Sequence, residues 1–352
     1  MEVIATKTLF DRTRIGPLRL RNRLVRSATW EAMAREDGRP TSRLIRVYEE
    51  LARGGAGLII IGATTFAPDA THPPRMLAIN DDSNIPACQE MVRTVHNAGS
   101  PIVMQLVHPG RDGVMWKCTD ATGNDIQSMV RGFGEAATRV QKAGFDGVEV
   151  HAAHGYFLSQ FMNAKKNTRS DEYGGPVENR SRLLLEIVSE IQTCTGKDYP
   201  VLVKINCSDF EEEDGVRDSC RYACRKLAGA GVVAIEVSGG VSGAPISPTG
   251  HLYEESVFRD YAAEIAAENT VPVILVCLNR TPAVLTGLLN TTGIGYFSLS
   301  RPFLRQPDLA RFWKKNPDEP AKCISCDACR KQPDGNVCPF REDPVRNTCF
   351  LE

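Results

Sequence analysis

Along this chain, short apolar runs alternate with longer polar stretches that carry apolar residues at helical spacing. The runs are rich in Val, Ile and Leu and are bounded by glycine or proline, which predicts buried strands. In order they fall within LRNRLVRSAT, GGAGLIIIGATTF (strand at 58–62), NAGSPIVMQLVHPG (strand at 102–106), KAGFDGVEVH, DYPVLVKINCSD, AGAGVVAIEVSGG, NTVPVILVC and TGIGYFSLSR, eight in all. Stretches such as 181–195 and 217–227 predict helices between them. Several units carry an Ala-Gly pair whose glycine suits the left-handed position that ends a helix. Strands separated by helices call for parallel pairing with right-handed crossovers. Eight such units predict an α/β fold, a (β/α)8 TIM barrel, over residues 1–317. An open doubly wound sheet is the competing architecture, but no G-x-G-x-x-G follows the first strand. After about Pro317 the alternation stops, and 318–352 reads as a short cysteine-rich extension.

Composition narrows the class. A chain of 352 residues is long enough to bury a large core. Its hydrophobic share of 42% and charged share of 24% suit a water-soluble globular protein. A formal net charge of −1 supplies no basic field for nucleic acid or an anionic membrane. No apolar run nears the roughly 20 residues of a membrane helix. The opening MEVIATKTLFDRTRIG has no apolar centre of a secretory leader. A cytoplasmic protein with mostly reduced thiols is therefore expected. Eight of its twelve cysteines are scattered and read as small hydrophobes. A homo-oligomer is compatible with this composition.

In a parallel barrel, chemistry gathers at the carboxyl ends of the strands. The fourth run ends in FDGVEVHAAHGYF, which puts His151 and His154 at such an end and Tyr156 two positions further on. Two imidazoles so placed can grip one oxygen atom, and a phenol beside them can supply a proton. With His108 they also form a candidate zinc site for a metal-dependent barrel hydrolase. Against that reading, HAAH lacks the carboxylate and helical spacing of HExxH. Lys204 sits inside an apolar strand, an unusual place for a surface lysine.

Five segments together resemble the old yellow enzyme family of FMN-dependent ene-reductases. They are NRLVRSAT (22–29), QLVHPGR (105–111), GFDGVEVHAAHGYFLSQF, TRSDEYGGPVENRSRLLLEI (168–187) and SLSRPFLRQP (298–307). The resemblance implies FMN across the barrel mouth, NAD(P)H as reductant and a small-molecule enoyl substrate, an α,β-unsaturated carbonyl compound. It implies that Ser27, Ala28, Thr29 and Ala63 pack beside the isoalloxazine and that Gln105 meets the pyrimidine edge. Lys204 would stand near the edge where reduced flavin carries negative charge. Ser300 and Arg301 would bind the phosphate. His151 and His154 would polarise the substrate carbonyl, while Tyr156 protonates the α-carbon. One departure concerns Cys277 and Leu278, which stand where relatives carry Gly-Gly at the phosphate loop. Side chains there narrow the pocket and motivate a second reading, a flavin-less binding module on the same barrel. The stretch 112–124 is short for a lid, and its Trp116 reads either as a substrate contact or as a loop anchor. The DEYGG block reads as a structural loop leading into a helix at Pro176 or Val177, with Asn179 and Arg180 tying that loop to the barrel.

The extension holds CISCDACRKQPDGNVCP, which sets Cys323, Cys326, Cys329 and Cys338 in a C-x2-C-x2-C-x8-C-P pattern. Such spacing lets three thiolates cap a [4Fe–4S] cube while the fourth closes it. A four-thiolate zinc ion and unliganded thiols are the other readings. The group resembles the branch related to 2,4-dienoyl-CoA reductase, which carries a cluster after its barrel; that branch's further FAD domain is not expected here.

Overall fold

A computed structural model describes residues 6–67, 74–110, 116–210, 215–240 and 254–341. An antiparallel hairpin opens it, β1 (Thr13–Ile15) and β2 (Leu18–Leu20). The strands that follow are β3 (Leu24–Arg26), β4 (Leu58–Thr65), β5 (Leu77–Ala78), β6 (Ile102–Val107), β7 (Gly147–Ala152), β8 (Val201–Asn206), β9 (Ala234–Ser238), β10 (Val273–Val276) and β11 (Ile294–Leu299). The helices are α1 (Ser42–Arg53), α2 (Ile85–Asn97), α3 (Gly123–Lys142), α4 (Phe157–Met162), α5 (Val177–Thr195), α6 (Val216–Gly229), α7 (Arg259–Glu268), α8 (Pro282–Thr291), α9 (Arg301–Arg305) and α10 (Leu309–Lys315). β3 pairs in parallel with both β4 and β11, which closes a ring of the eight strands foreseen in the sequence. The two-residue β5 pairs with the far end of β4.

Strand alternation divides the ring into two faces. Ile59, Ile61, Met104, Val148, Val150, Val203, Ile235 and Leu275 join the large core shared with the helices. Inward, Val25, Leu58, Ile60, Val103, Leu202, Ala234, Ile274 and Tyr296 form a second core with Ile15, Leu18 and Leu20 of the hairpin. The hairpin therefore plugs the amino-terminal mouth. Both faces of each strand are buried, which is why the strands read as near-continuous apolar runs.

Toward the carboxyl end the inward positions turn polar. Alternate strands contribute to successive rungs of such a barrel. Above the apolar floor, Glu149, Glu236 and Ser298 share one rung; Ser27, Gln105 and Lys204 form the next; His151 and Ser238 reach the rim. Every one of these polar side chains is buried.

The described part of the extension, 318–341, packs back on the carboxyl-end mouth. Ala321 N donates to Arg280 O at 2.8 Å, and Asn336 N donates to Glu31 O at 2.7 Å. Arg43 Nη1 donates to Asp334 O at 2.8 Å from α1. Between these contacts Gly335 has φ +115°, and a Cβ there would meet Glu31 O at 2.7 Å, so only glycine fits. No helix among the described residues is long and apolar enough to cross a membrane.

Candidate functional site

β7 delivers His151 to the rim, and the turn that follows carries His154 at φ +62° and Gly155 at φ +78°. That turn brings the two imidazoles to a ring-centre distance of 5.0 Å and Tyr156 to 5.4 Å from His151. Asn206 at the end of β8 accepts the His154 backbone N–H at 2.9 Å, and Ser238 at the end of β9 holds His154 Nε2 at 2.8 Å. His151 Nδ1 is buried without a hydrogen-bond partner. Burial, the neighbouring His154 and Lys204 push the His151 pKa well below its ordinary value. Burial, Lys204 and Arg330 of the extension bring His154 down to about 3. Both rings are therefore neutral near pH 7, each with one N–H to donate.

Beneath the pair lies a cation among acids. Lys204 Nζ donates to Ser27 Oγ at 2.9 Å and stands 3.4 Å from Glu236 Oε2. Ser27 Oγ donates to Glu236 Oε1 at 2.9 Å, and Gln105 Nε2 donates to Glu149 Oε2 at 3.2 Å. Beside them a second buried network fixes the segment after β3. Arg26 pairs with Glu31 at 2.8 Å, and Tyr48 OH donates to the other Glu31 oxygen at 2.7 Å. Arg26 also donates to Thr29 Oγ1, which shares a 2.7 Å hydrogen bond with Ser300 Oγ. Thr29 in turn bridges to Gly62, whose neighbour is Ala63. Ser27, Ala28, Thr29 and Ala63 thus lie on the β3–β4 side of the mouth, Gln105 comes from the next strand, β6, and Lys204 reaches Ser27 from β8 across the ring.

Cys277 and Leu278 have φ of +94° and +54°, so the loop after β10 holds the backbone conformation favoured by glycine while bearing side chains. Arg301, at the start of α9, ion-pairs with Asp327 of the extension at 2.6 Å. Arg280 donates to Ser325 Oγ at 2.7 Å. Two arginines from adjacent barrel loops therefore converge on one short tail segment.

Cys323, Cys326, Cys329 and Cys338 line one cavity of about 210 Å³ together with Arg301 and Arg305. None of the four is in a disulfide. Among the described residues, no three or more His, Cys, Asp or Glu side chains are gathered closely enough to hold a metal ion. The donor set suits a cluster or zinc, but the arrangement is not a formed ligand group. The same holds for the three-histidine set. His108 packs among aromatic rings, 5.5 Å from Trp116 and 5.8 Å from Phe157. Trp116 stacks on Phe157 at 4.5 Å, so it anchors its loop. In the DEYGG block, Asn179 donates to Gly174 O, and Arg180 donates to Gly175 O and to Ser219 on α6.

The site fits an FMN ring on donor chemistry. An amide, an ammonium and a hydroxyl lie beneath the mouth on three strand ends, and His151 Nδ1 is a buried atom without a hydrogen-bond partner. Sequence reasoning missed Glu149, Glu236, Glu31, Asn206 and Ser238. A signal for the first two was present: a carboxylate inside an apolar strand is as conspicuous as Lys204.

A sequence profile of the NADH:flavin oxidoreductase / NADH oxidase family matches residues 8–121 and 114–319. The NADH oxidase of Thermoanaerobacter brockii is 32% identical over 345 residues, covering 90% of this chain and 52% of that protein. The NADPH dehydrogenase of Halalkalibacterium halodurans is 35% identical over 255 residues, covering 68% of this chain and 75% of that protein. The old yellow enzyme homologue from Zymomonas mobilis matches in structure with a TM-score of 0.76 at 26% identity, over 90% of this chain and 95% of its own. The chain spans about half the length of several curated relatives that it matches.

Proposed function

Because the chain belongs to the NADH:flavin oxidoreductase / NADH oxidase family, we propose that it uses FMN and NAD(P)H to reduce activated C=C bonds of small α,β-unsaturated carbonyl compounds. The supporting observation is the neutral His151–His154 pair at the rim, above Gln105 and Lys204. FMN supplies the hydride chemistry when bound. Gln105, Lys204, Ser27 and Thr29 seat its ring, and Ser300 and Arg301 reach its phosphate. The two imidazole N–H groups hold a substrate carbonyl oxygen and draw electron density from the alkene. Tyr156 gives the proton to the α-carbon. Holding the reacting carbon in place contributes as much as polarising it. In this reading the protein works in the cytoplasm on small molecules.

The test combines FMN titration with a double substitution. His151→Ala with His154→Ala should leave FMN bound but lower the rate of enone reduction by about 10²–10³, the scale set by removing oxyanion donors. It should also weaken binding of phenol-like ligands, whose oxygen the two N–H groups would hold. Unchanged turnover would remove both histidines from the chemistry. The flavin-less reading is favoured by the Cys277 and Leu278 side chains at the phosphate loop. It predicts a colourless protein that FMN does not reconstitute. Iron, sulfide and zinc analysis of anaerobically purified protein decides between a cluster, a zinc ion and free thiols at Cys323, Cys326, Cys329 and Cys338.

A further inference from the structure

Two carboxyl groups lie below the flavin seat with one cation between them. Glu149 from β7 and Glu236 from β9 are both 0% exposed and occupy the same rung of the barrel. Their neighbours are Lys204 from β8, Ser27 after β3, Gln105 from β6 and Ser298 from β11, with His151 above on β7. Of these only Lys204 is a cation, and it sits against Glu236. A second buried charge on Glu149 would lack a counter-ion, which is more costly than binding a proton.

The hydrogen-bond inventory leads to the same place. Glu149 Oε2 accepts from Gln105, and Glu236 Oε1 accepts from Ser27. The other two oxygens, Glu149 Oε1 and Glu236 Oε2, are buried and accept no well-formed hydrogen bond; the ammonium of Lys204 stands 3.4 Å from Glu236 Oε2, and the Ser298 hydroxyl lies beside Glu236. The two side chains are in hydrogen-bond contact with each other. One proton on Glu149 Oε1, donated to Glu236 Oε2, satisfies both orphans at once.

We propose that Glu149 and Glu236 share a single proton beneath the flavin seat and act as positioning residues that fix Gln105 and Lys204 for the cofactor. Burial and the Glu236 charge raise the Glu149 pKa well above the usual carboxylate range. Burial opposes ionisation of Glu236 as well, but Lys204 and the bond from Glu149 outweigh it and hold its pKa low. The arrangement has two consequences. Glu236 cancels the Lys204 charge, so the seat is net neutral. The Gln105 NH₂ is committed downward to Glu149, which turns its carbonyl oxygen toward the mouth, where it accepts from an N–H such as that of the flavin pyrimidine ring.

The positioning role rests on the FMN reading, but the shared proton is measured without the cofactor. Infrared spectroscopy of the cofactor-free protein at neutral pH should show a carboxylic-acid carbonyl band that shifts in D₂O and is distinct from the band of Glu31, which is identified by its loss in Glu31→Gln. Absence of the band in the wild-type protein overturns the proposal with no variant needed. Glu149→Gln should abolish the band yet keep both hydrogen bonds, since its amide accepts from Gln105 and donates to Glu236. Its FMN affinity should stay within about threefold of wild type. Glu149→Leu loses the Gln105 anchor and should weaken FMN binding about tenfold, equivalent to about 1.4 kcal/mol. Equal affinities for the Gln and Leu variants overturn the positioning role, and a band that survives Glu149→Gln overturns the shared proton. A wild-type protein that shows the band but never binds FMN refutes the flavin reading and leaves the acid pair standing.

Discussion

Glu31 receives hydrogen bonds from Arg26 and Tyr48, yet its carboxyl is pushed up to about 7, because burial outweighs the Arg26 charge. Between its ordinary pKa near 4.5 and about 7, the folded protein holds a proton there that the unfolded chain has released. The contribution of this group to stability is therefore full below pH 4.5 and lost as pH rises through that window. The stability difference between wild type and Glu31→Gln, followed by urea unfolding at several pH values, should change by a few kcal/mol across the window and flatten above it. A pH-independent difference would mean that Glu31 ionises normally in the fold. The histidines behave in the opposite sense. Their lowered pKa values keep both rings neutral at and above neutral pH, so substrate binding should show no titration assignable to them there. The sequence marked His151, His154, Tyr156 and Lys204 because reactive types at strand ends stand out against an apolar background. It could not mark Asn206 or Ser238 as supports for His154, since those contacts join residues 52 and 84 positions apart.

At the scale of elements, the eight barrel strands were legible because both of their faces are buried and each is interrupted by turn residues. The β1–β2 hairpin was not. Its strands are three residues long, too short for periodicity to register. Its value lies in plugging: Ile15 is 0% exposed and packs against the inward floor of the ring. Ile15→Ala should cost about 2–5 kcal/mol of unfolding free energy, the range for a large-to-small change in a closed core. Loss of less than about 1 kcal/mol would show that the hairpin can collapse onto the cavity. The DEYGG block itself forms the loop, and the helix after it begins at Val177, within the start the sequence predicts at Pro176 or Val177, because Pro176 caps its entry in extended conformation.

At the scale of the molecule, residues 318–341 of the extension are part of the mouth and not a loose appendage. They grip the segment after β3 through Asn336 and Gly335, bind Arg280 and Arg301 through Ser325 and Asp327, and bring Arg330 near His154. In the proposed FMN seat, Asp327 competes with phosphate for Arg301. Asp327→Asn should therefore tighten FMN binding by about threefold to tenfold, as one partly exposed ion pair is worth up to about 1 kcal/mol. Fluorescence titration of FMN would measure this, and an unchanged dissociation constant would place the phosphate away from Arg301. The chain by itself determined the alternation of strand and helix and the placing of His151 and His154 at a strand end, because these follow from neighbours a few positions apart. Only the closed ring decided that Glu149 and Glu236 share a rung and that Arg301 meets Asp327. The stagger between strands and the path of the returning tail are set by packing between distant segments, and no local pattern encodes them.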